Sequence, residues 1–157
     1  MHTPYKYNIY HPNGKGNGSS LSLELYTANG PNVGKVILSF ARQVSVGSEV
    51  DGRRTFPRFD WANQVAIRLE PTEIEKMLEV FAGETESIND GKGLVDVPNS
   101  TTFYVRHSVE PVPHYVIEIV KAEGEDKQRR VILLSPTEAR TLYDGLTAAM
   151  GALVFGV

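Results

Sequence analysis

One seven-residue arrangement occurs twice in the chain, "IRLEPTE" at Ile67 to Glu73 and "ILLSPTE" at Ile132 to Glu138, with the two copies 65 residues apart. Ile, Leu, Pro, Thr and Glu recur in register. Before each copy the apolar residues alternate with a period of two, as in half-buried strands; after each copy they recur at helical spacing. A chain that passes twice from several strands into one helix points to an α+β fold built from a repeated unit.

Both junctions have a local mechanical reason. In Ser135-Pro136-Thr137-Glu138 the serine is placed as N-cap, the proline takes the first helical position, and the glutamate three residues on completes a capping box. In the first copy Glu70 stands where the serine would be, a weaker cap that still accepts a backbone N–H bond. Good capping alone could produce this likeness. The run of strands that ends at both junctions favours duplication.

Strand candidates in the first half are Tyr5 to Tyr10, Ser20 to Thr27, Lys35 to Gln43 and Gln64 to Leu69. A helix is expected from Pro71 to Ala82, with Ile74, Met77, Leu78 and Phe81 on its apolar stripe. The second half offers strands at Thr102 to His107, His114 to Glu123 and Gln128 to Leu134. They precede a helix from Pro136 to about Leu153, its inner stripe formed by Leu142, Leu146, Met150 and Leu153. Val44 to Pro57 reads as a mobile hairpin tip, and residues 84–99 as an acidic loop joining repeats of about 4–83 and 100–157 within one domain.

At 157 residues the chain is long enough to bury one hydrophobic core without a covalent staple. The absence of cysteine removes disulfides, thiolate metal sites and cysteine nucleophiles together. No apolar run reaches membrane-spanning length, and "MHTPYKYNIY" lacks a signal core or an Arg-rich transit segment, so a soluble, cytoplasmic protein is expected. The net charge is −3, but it is unevenly spread. Residues 1–69 carry eight Lys/Arg against four acids, and the remainder carries eight against fifteen. A polyanion senses charge within a Debye length of roughly 8 Å, so a local basic surface is compatible with the acidic total.

An enzyme is not expected. His2, His11, His107 and His114 lie in no metal-ligand spacing, there is no GxSxG elbow, and no metal or cofactor is implied. The glycine-rich "HPNGKGNGSSLSLEL" lacks the GK[ST] ending of a P-loop and runs into a strand, so it offers no helix N-terminus to a phosphate. It reads as a hairpin connection that delivers Lys15 to the edge of a strand pair.

A binding surface fits the residues better. Lys6, Tyr7 and Tyr10 at the start, and Phe103, Tyr104 and Arg106 in the second half, mix aromatic and cationic side chains on strands. Aromatics stack on unpaired bases and cations meet phosphates. Lys15, Lys35, Arg42 and Arg68 complete the electrostatic candidates. Trp61, the single tryptophan, sits in "Phe59-Asp60-Trp61" and reads as an anchor for a strand entry, with Asp60 bonding local backbone.

Three segments carry a resemblance to the Whirly family of single-stranded-DNA-binding proteins. "KGNGSSLSLEL" at Lys15 to Leu25 is similar to the family's lysine-glycine-lysine stretch and its following strand. "GKVILSF" and then "RFDWANQVAIRLEPTEIEKML" at Arg58 to Leu78 resemble its tyrosine-aspartate-tryptophan strand entry, Ser-Pro-Thr-Glu junction and first helix. "ILLSPTEARTLYDGLTAAMGALVFG" resembles its closing strand and helix. The chain departs from the family at Asn17, which stands where the family has a second lysine, at "ESINDGKG" in place of a His-Asp-Pro segment, and at Val157 in place of a terminal tryptophan.

The resemblance implies two antiparallel four-stranded β-sheets, each followed by an α-helix, and a homotetramer assembled through helices 71–82 and 136–153. It implies sequence-tolerant binding and protection of single-stranded DNA in replication, recombination or repair. Lys6, Lys15, Lys35, Arg42, Arg68 and Arg106 would then be electrostatic contacts, and Tyr7, Tyr10, Phe103 and Tyr104 stacking residues. Two rival expectations are RNA binding by the same surface and a non-enzymatic assembly protein of the same fold. The missing transit peptide suits a bacterial or phage protein.

Overall fold

The computed structural model describes residues 5–27 and 34–155. His2, Gly156 and Val157, named above, lie outside them. Strands β1 (Tyr5–His11), β2 (Ser19–Tyr26), β3 (Lys35–Ser45) and β7 (Val65–Leu69) form an antiparallel sheet in that spatial order. A short hairpin, β4 (Ser48–Val50) and β5 (Arg53–Thr55), and a two-residue strand, β6 (Arg58–Phe59), are inserted before β7. β6 also pairs with β3, beyond a bulge between Gln43 and Ser45. Helix α1 (Pro71–Phe81) follows. The second sheet has the order β11-β10-β9-β8, from β8 (Leu94–Asp96), β9 (Thr101–Ser108), β10 (His114–Glu123) and β11 (Asp126–Leu134), and leads into α2 (Pro136–Phe155).

The four-strands-then-helix order therefore occurs twice. The expected acidic loop contains one strand the alternation did not reveal: β8 is three residues long and pairs through Leu94↔Phe103 and Asp96↔Thr101. The expected hairpin tip at Val44 to Pro57 does hold a hairpin, β4–β5, closed by Asp51-Gly52.

Period two decides what each strand buries. In the first sheet Tyr7, Leu23, Leu38 and Ile67 stand side by side in register, as do Ile9, Leu21, Phe40 and Val65, and both rows face the core. The rings of Phe40 and Phe103, 6.4 Å apart, join the two sheets. One continuous cluster then runs through both sheets and both helices, including Ile74, Met77 and Val80 of α1 and Leu142 and Leu146 of α2.

Each helix reaches across to the other half. At the end of α1, Phe81 meets Tyr115 of β10 edge-on at 5.3 Å. α2 lies against β1 and β2, with Gly145 facing Leu23. Its capping box closes as the sequence suggested: Glu138 N–H donates to Ser135 Oγ and Ser135 N–H to Glu138 Oε1, both at 3.1 Å. The second carboxylate oxygen of Glu138 lies 2.6 Å from Nε2 of His11, at the end of β1. Burial alone would raise the Glu138 pKa, but the bonds from His11 and Ser135 outweigh it and hold this carboxyl below its ordinary range.

α1 closes in the same economical way. Glu70 N–H donates to Glu73 Oε1 at 2.9 Å at its start. At its end Gly83 takes φ +80, so that its N–H reaches Val80 O at 3.1 Å and Glu84 N–H reaches Glu79 O at 2.9 Å, a Schellman closure.

Candidate nucleic-acid interface

The glycine-rich connection between β1 and β2 is a shaped loop. Asn13 Oδ1 accepts the N–H groups of Lys15 and Asn17, each at 3.1 Å. Gln43, reaching over from β3, accepts from Asn13 N–H at 2.9 Å and Gly18 N–H at 3.0 Å through Oε1, and its Nε2 donates to Asn13 O at 3.0 Å and Ser45 O at 3.1 Å. Gly18 is packed so closely that an added Cβ would stand 2.1 Å from His11 O. Lys15 is left exposed at the turn, as the sequence suggested.

Beside this loop, Tyr10, Phe56, Phe59, Trp61 and Arg58 line an open cleft. Tyr10 is 52% exposed and Phe56 70%, large values for aromatic side chains. The rings of Tyr10 and Phe59 are 5.6 Å apart and tilted. Ser20 and Ala41 lie between β1 and β6 in the register and are small enough to pass beneath that contact. Arg54 stacks on Phe56 at 5.5 Å. Trp61 sits on a single 3₁₀ turn that Asp60 fixes by accepting from Asn63 N–H at 3.3 Å and Asn63 Nδ2 at 2.9 Å. The local backbone bond expected of Asp60 is therefore present, and the half-buried indole of Trp61 lines the cleft.

Next to the aromatic pair on the same face of the first sheet runs a row of small residues, the polar Asn8, Ser22 and Ser39 and then Ala66, directly opposite one another on four strands. Ser22 and Ser39 are each only 1% exposed, yet their hydroxyls and Asn8 Oδ1 have no hydrogen-bond partner. Unpaired buried polar atoms are costly, and here they border the exposed ring of Tyr10.

A second cleft, of about 610 Å³, opens where the two sheets meet and is lined by Arg42, Arg129 and Arg130 with the backbone of Gly16 to Ser19. Ser19 Oγ donates to Val131 O at 2.5 Å, tying β2 to β11 at its floor. Arg42 continues the core-facing series Val36, Leu38, Phe40, and Arg130 precedes Ile132 and Leu134 on the core face of the other sheet. Arg129 pairs with Glu118, and Arg130 Nη1 donates to Arg129 O at 3.0 Å.

The residues expected to bind divide among several surfaces. Lys6, Lys35 and Arg68 share the outer face of the first sheet with Tyr10, but each has a neighbour: Lys6 lies 3.8 Å from Glu24, Arg68 3.3 Å from Glu70, and Lys35 sits over the Tyr26 ring at 4.9 Å. Tyr104 and Arg106 lie on the outer face of the second sheet, away from the aromatic cleft. Tyr7 points inward and packs against the core. Phe103 corrects the expectation: it is wholly buried, because Thr101, Phe103 and Val105 form the inward series of β9, and no base can reach its ring. The reading of the sequence missed Phe56, Phe59, Arg129 and Arg130. Among the described residues no group of three His, Asp or Glu side chains is placed to hold a metal ion, and no helix is long and apolar enough to cross a membrane.

No protein-family model and no curated protein sequence matches the chain. Solved structures do. Arabidopsis thaliana WHY1 superposes with a TM-score of 0.70 at 16% identity, covering 98% of this chain and 87% of that one. Trypanosoma MRP1/MRP2 gives 0.69 at 15% identity, over 97% and 87%. A guide-RNA-binding protein complex bound to a guide RNA gives 0.67 at 12% identity, over 98% and 93%. With two antiparallel sheets, a helix after each and nearly full-length superposition, the chain has a Whirly-like α+β fold.

Proposed function

We propose that the chain binds single-stranded DNA with little sequence preference, using the cleft of Tyr10, Phe56, Phe59 and Trp61 as a platform for unpaired bases. The observation that carries this reading is the exposure of Tyr10 and Phe56 in that aromatic cleft, beside cations and unpartnered polar groups, on a Whirly-like fold. Stacking tolerates any base because every base has a π-face, and neighbouring cations add a salt-dependent attraction to the backbone. Such binding suits protection of exposed strands in replication, recombination or repair.

Fluorescence anisotropy with a labelled thymine oligomer over a salt series tests it. Binding is expected to weaken with salt, with a log–log slope of about −0.7 per phosphate contacted. Absence of binding at low salt overturns the reading. RNA is the second reading, because one structural neighbour is a complex bound to a guide RNA. Equal or tighter binding of a uridine oligomer in a parallel titration would favour it.

Assembly belongs to the same proposal. α2 ends in exposed Val154 and Phe155, and an apolar groove between Tyr5, Leu25, Gly145 and Ala148 runs along its contact with the first sheet. A homotetramer formed through α1 and α2 would cover these surfaces. Light scattering that shows a monomer at micromolar concentration removes this part.

A further inference from the structure

In both sheets a core-facing apolar series ends in an arginine at the seam, Arg42 on β3 and Arg130 on β11. Two like charges from opposite halves thereby face one cleft. Among the described residues Arg42 has no ion-pair or hydrogen-bonding side-chain partner, and the Arg130 Nε is buried with no acceptor. Asp60 attracts Arg130 but spends both oxygens on Asn63, and Glu118 is taken by Arg129. Burial first, and then repulsion from Arg42, lower the Arg130 pKa. A guanidinium held in this way lacks an oxygen anion.

We propose that the seam cleft is a phosphate site, in which Arg42 of one sheet and Arg130 of the other close on a single phosphate group, that of the bound strand's backbone. For that source it rests on the nucleic-acid reading above; its anion chemistry does not. Gly16 to Ser19 line the same cleft, with Ser19 paired to Arg42 across β2 and β3, so the glycine-rich connection does meet phosphate, without a helix. Because the two arginines come from different halves, occupancy removes a repulsion between the sheets and ties them together.

Thermal unfolding of the full chain in inorganic pyrophosphate, at constant ionic strength with chloride as reference, reads the site directly. A saturable rise in Tm is expected for the wild type and not for R130M or R42Q, each compared with its own chloride baseline. The same two substitutions should each reduce the salt slope of thymine-oligomer binding by about 0.7, one phosphate on a single strand. K127Q, which removes a charge from the same strand outside the cleft, should leave the pyrophosphate response in place. Equal responses in wild type and both arginine variants overturn the site. If the oligomer binds both variants with the wild-type slope, the clamp on the strand falls while the nucleic-acid reading stands. A pyrophosphate response without any oligomer binding supports the anion site, assigns it to a free phosphate compound, and removes the nucleic-acid reading.

Discussion

Gln43 shows how one side chain can set the shape of a loop distant in sequence. Q43A would strip the acceptor from Asn13 and Gly18, and the buried Gly18 N–H left unpaired costs about 1–3 kcal/mol. Urea denaturation should show the loss as a lower midpoint. In the sequence this residue is only a polar end to an alternating strand, and nothing local reports that its amide serves a turn 30 residues earlier. Tyr10 and Phe103 separate binding from packing. Y10A should weaken oligomer binding by about 1–3 kcal/mol while the fold persists, whereas F103A should cost about 3–5 kcal/mol of stability. Glu138 supplies a pH dependence. Its folded-state pKa lies below the ordinary 4.5, so its contribution to stability is complete above that value and is lost as pH falls through the lower folded value. Denaturation curves across the acid range should therefore show a smaller acid loss for E138Q than for the wild type.

Among the elements, the two helices were legible because period and caps agreed. Ser135→Ala should cost about 1 kcal/mol, the worth of a lost N-cap, and Gly83→Val about 1–2 kcal/mol, since a β-branched residue resists the left-handed backbone there. Thermal melts of both variants read these values. The elements that escaped were those with little burial pattern to display. β8 has only three residues and β6 only two, so neither produced an alternation. The misassignment of Phe103 had a different origin. Adjacent strand residues face opposite sides, so Phe103 and Tyr104 could never share one surface, and grouping them by chemistry overrode the period that had placed their strand.

At the level of the whole molecule, the repeated junction revealed two strand-to-helix units, and the superposition on Whirly-like structures agrees with that order. What the junction could not show is how the units meet. The seam arginines are visible afterwards as the polar ends of "VILSFAR" and "RVILL", but a cleft made by two strands 88 positions apart, Arg42 and Arg130, exists only once the sheets are packed. The crossing of the helices is also a tertiary fact. With Phe81 of α1 set on Tyr115 and Gly145 of α2 facing Leu23, each helix makes contacts with the other half's sheet as well as with the other helix. A chain cut in the connection between Gly83 and Lys92 should thus behave as a complementing pair. Circular dichroism should find each fragment largely unfolded alone and native-like structure on mixing, so that a reporter split at this point would signal only when both pieces occupy the same compartment.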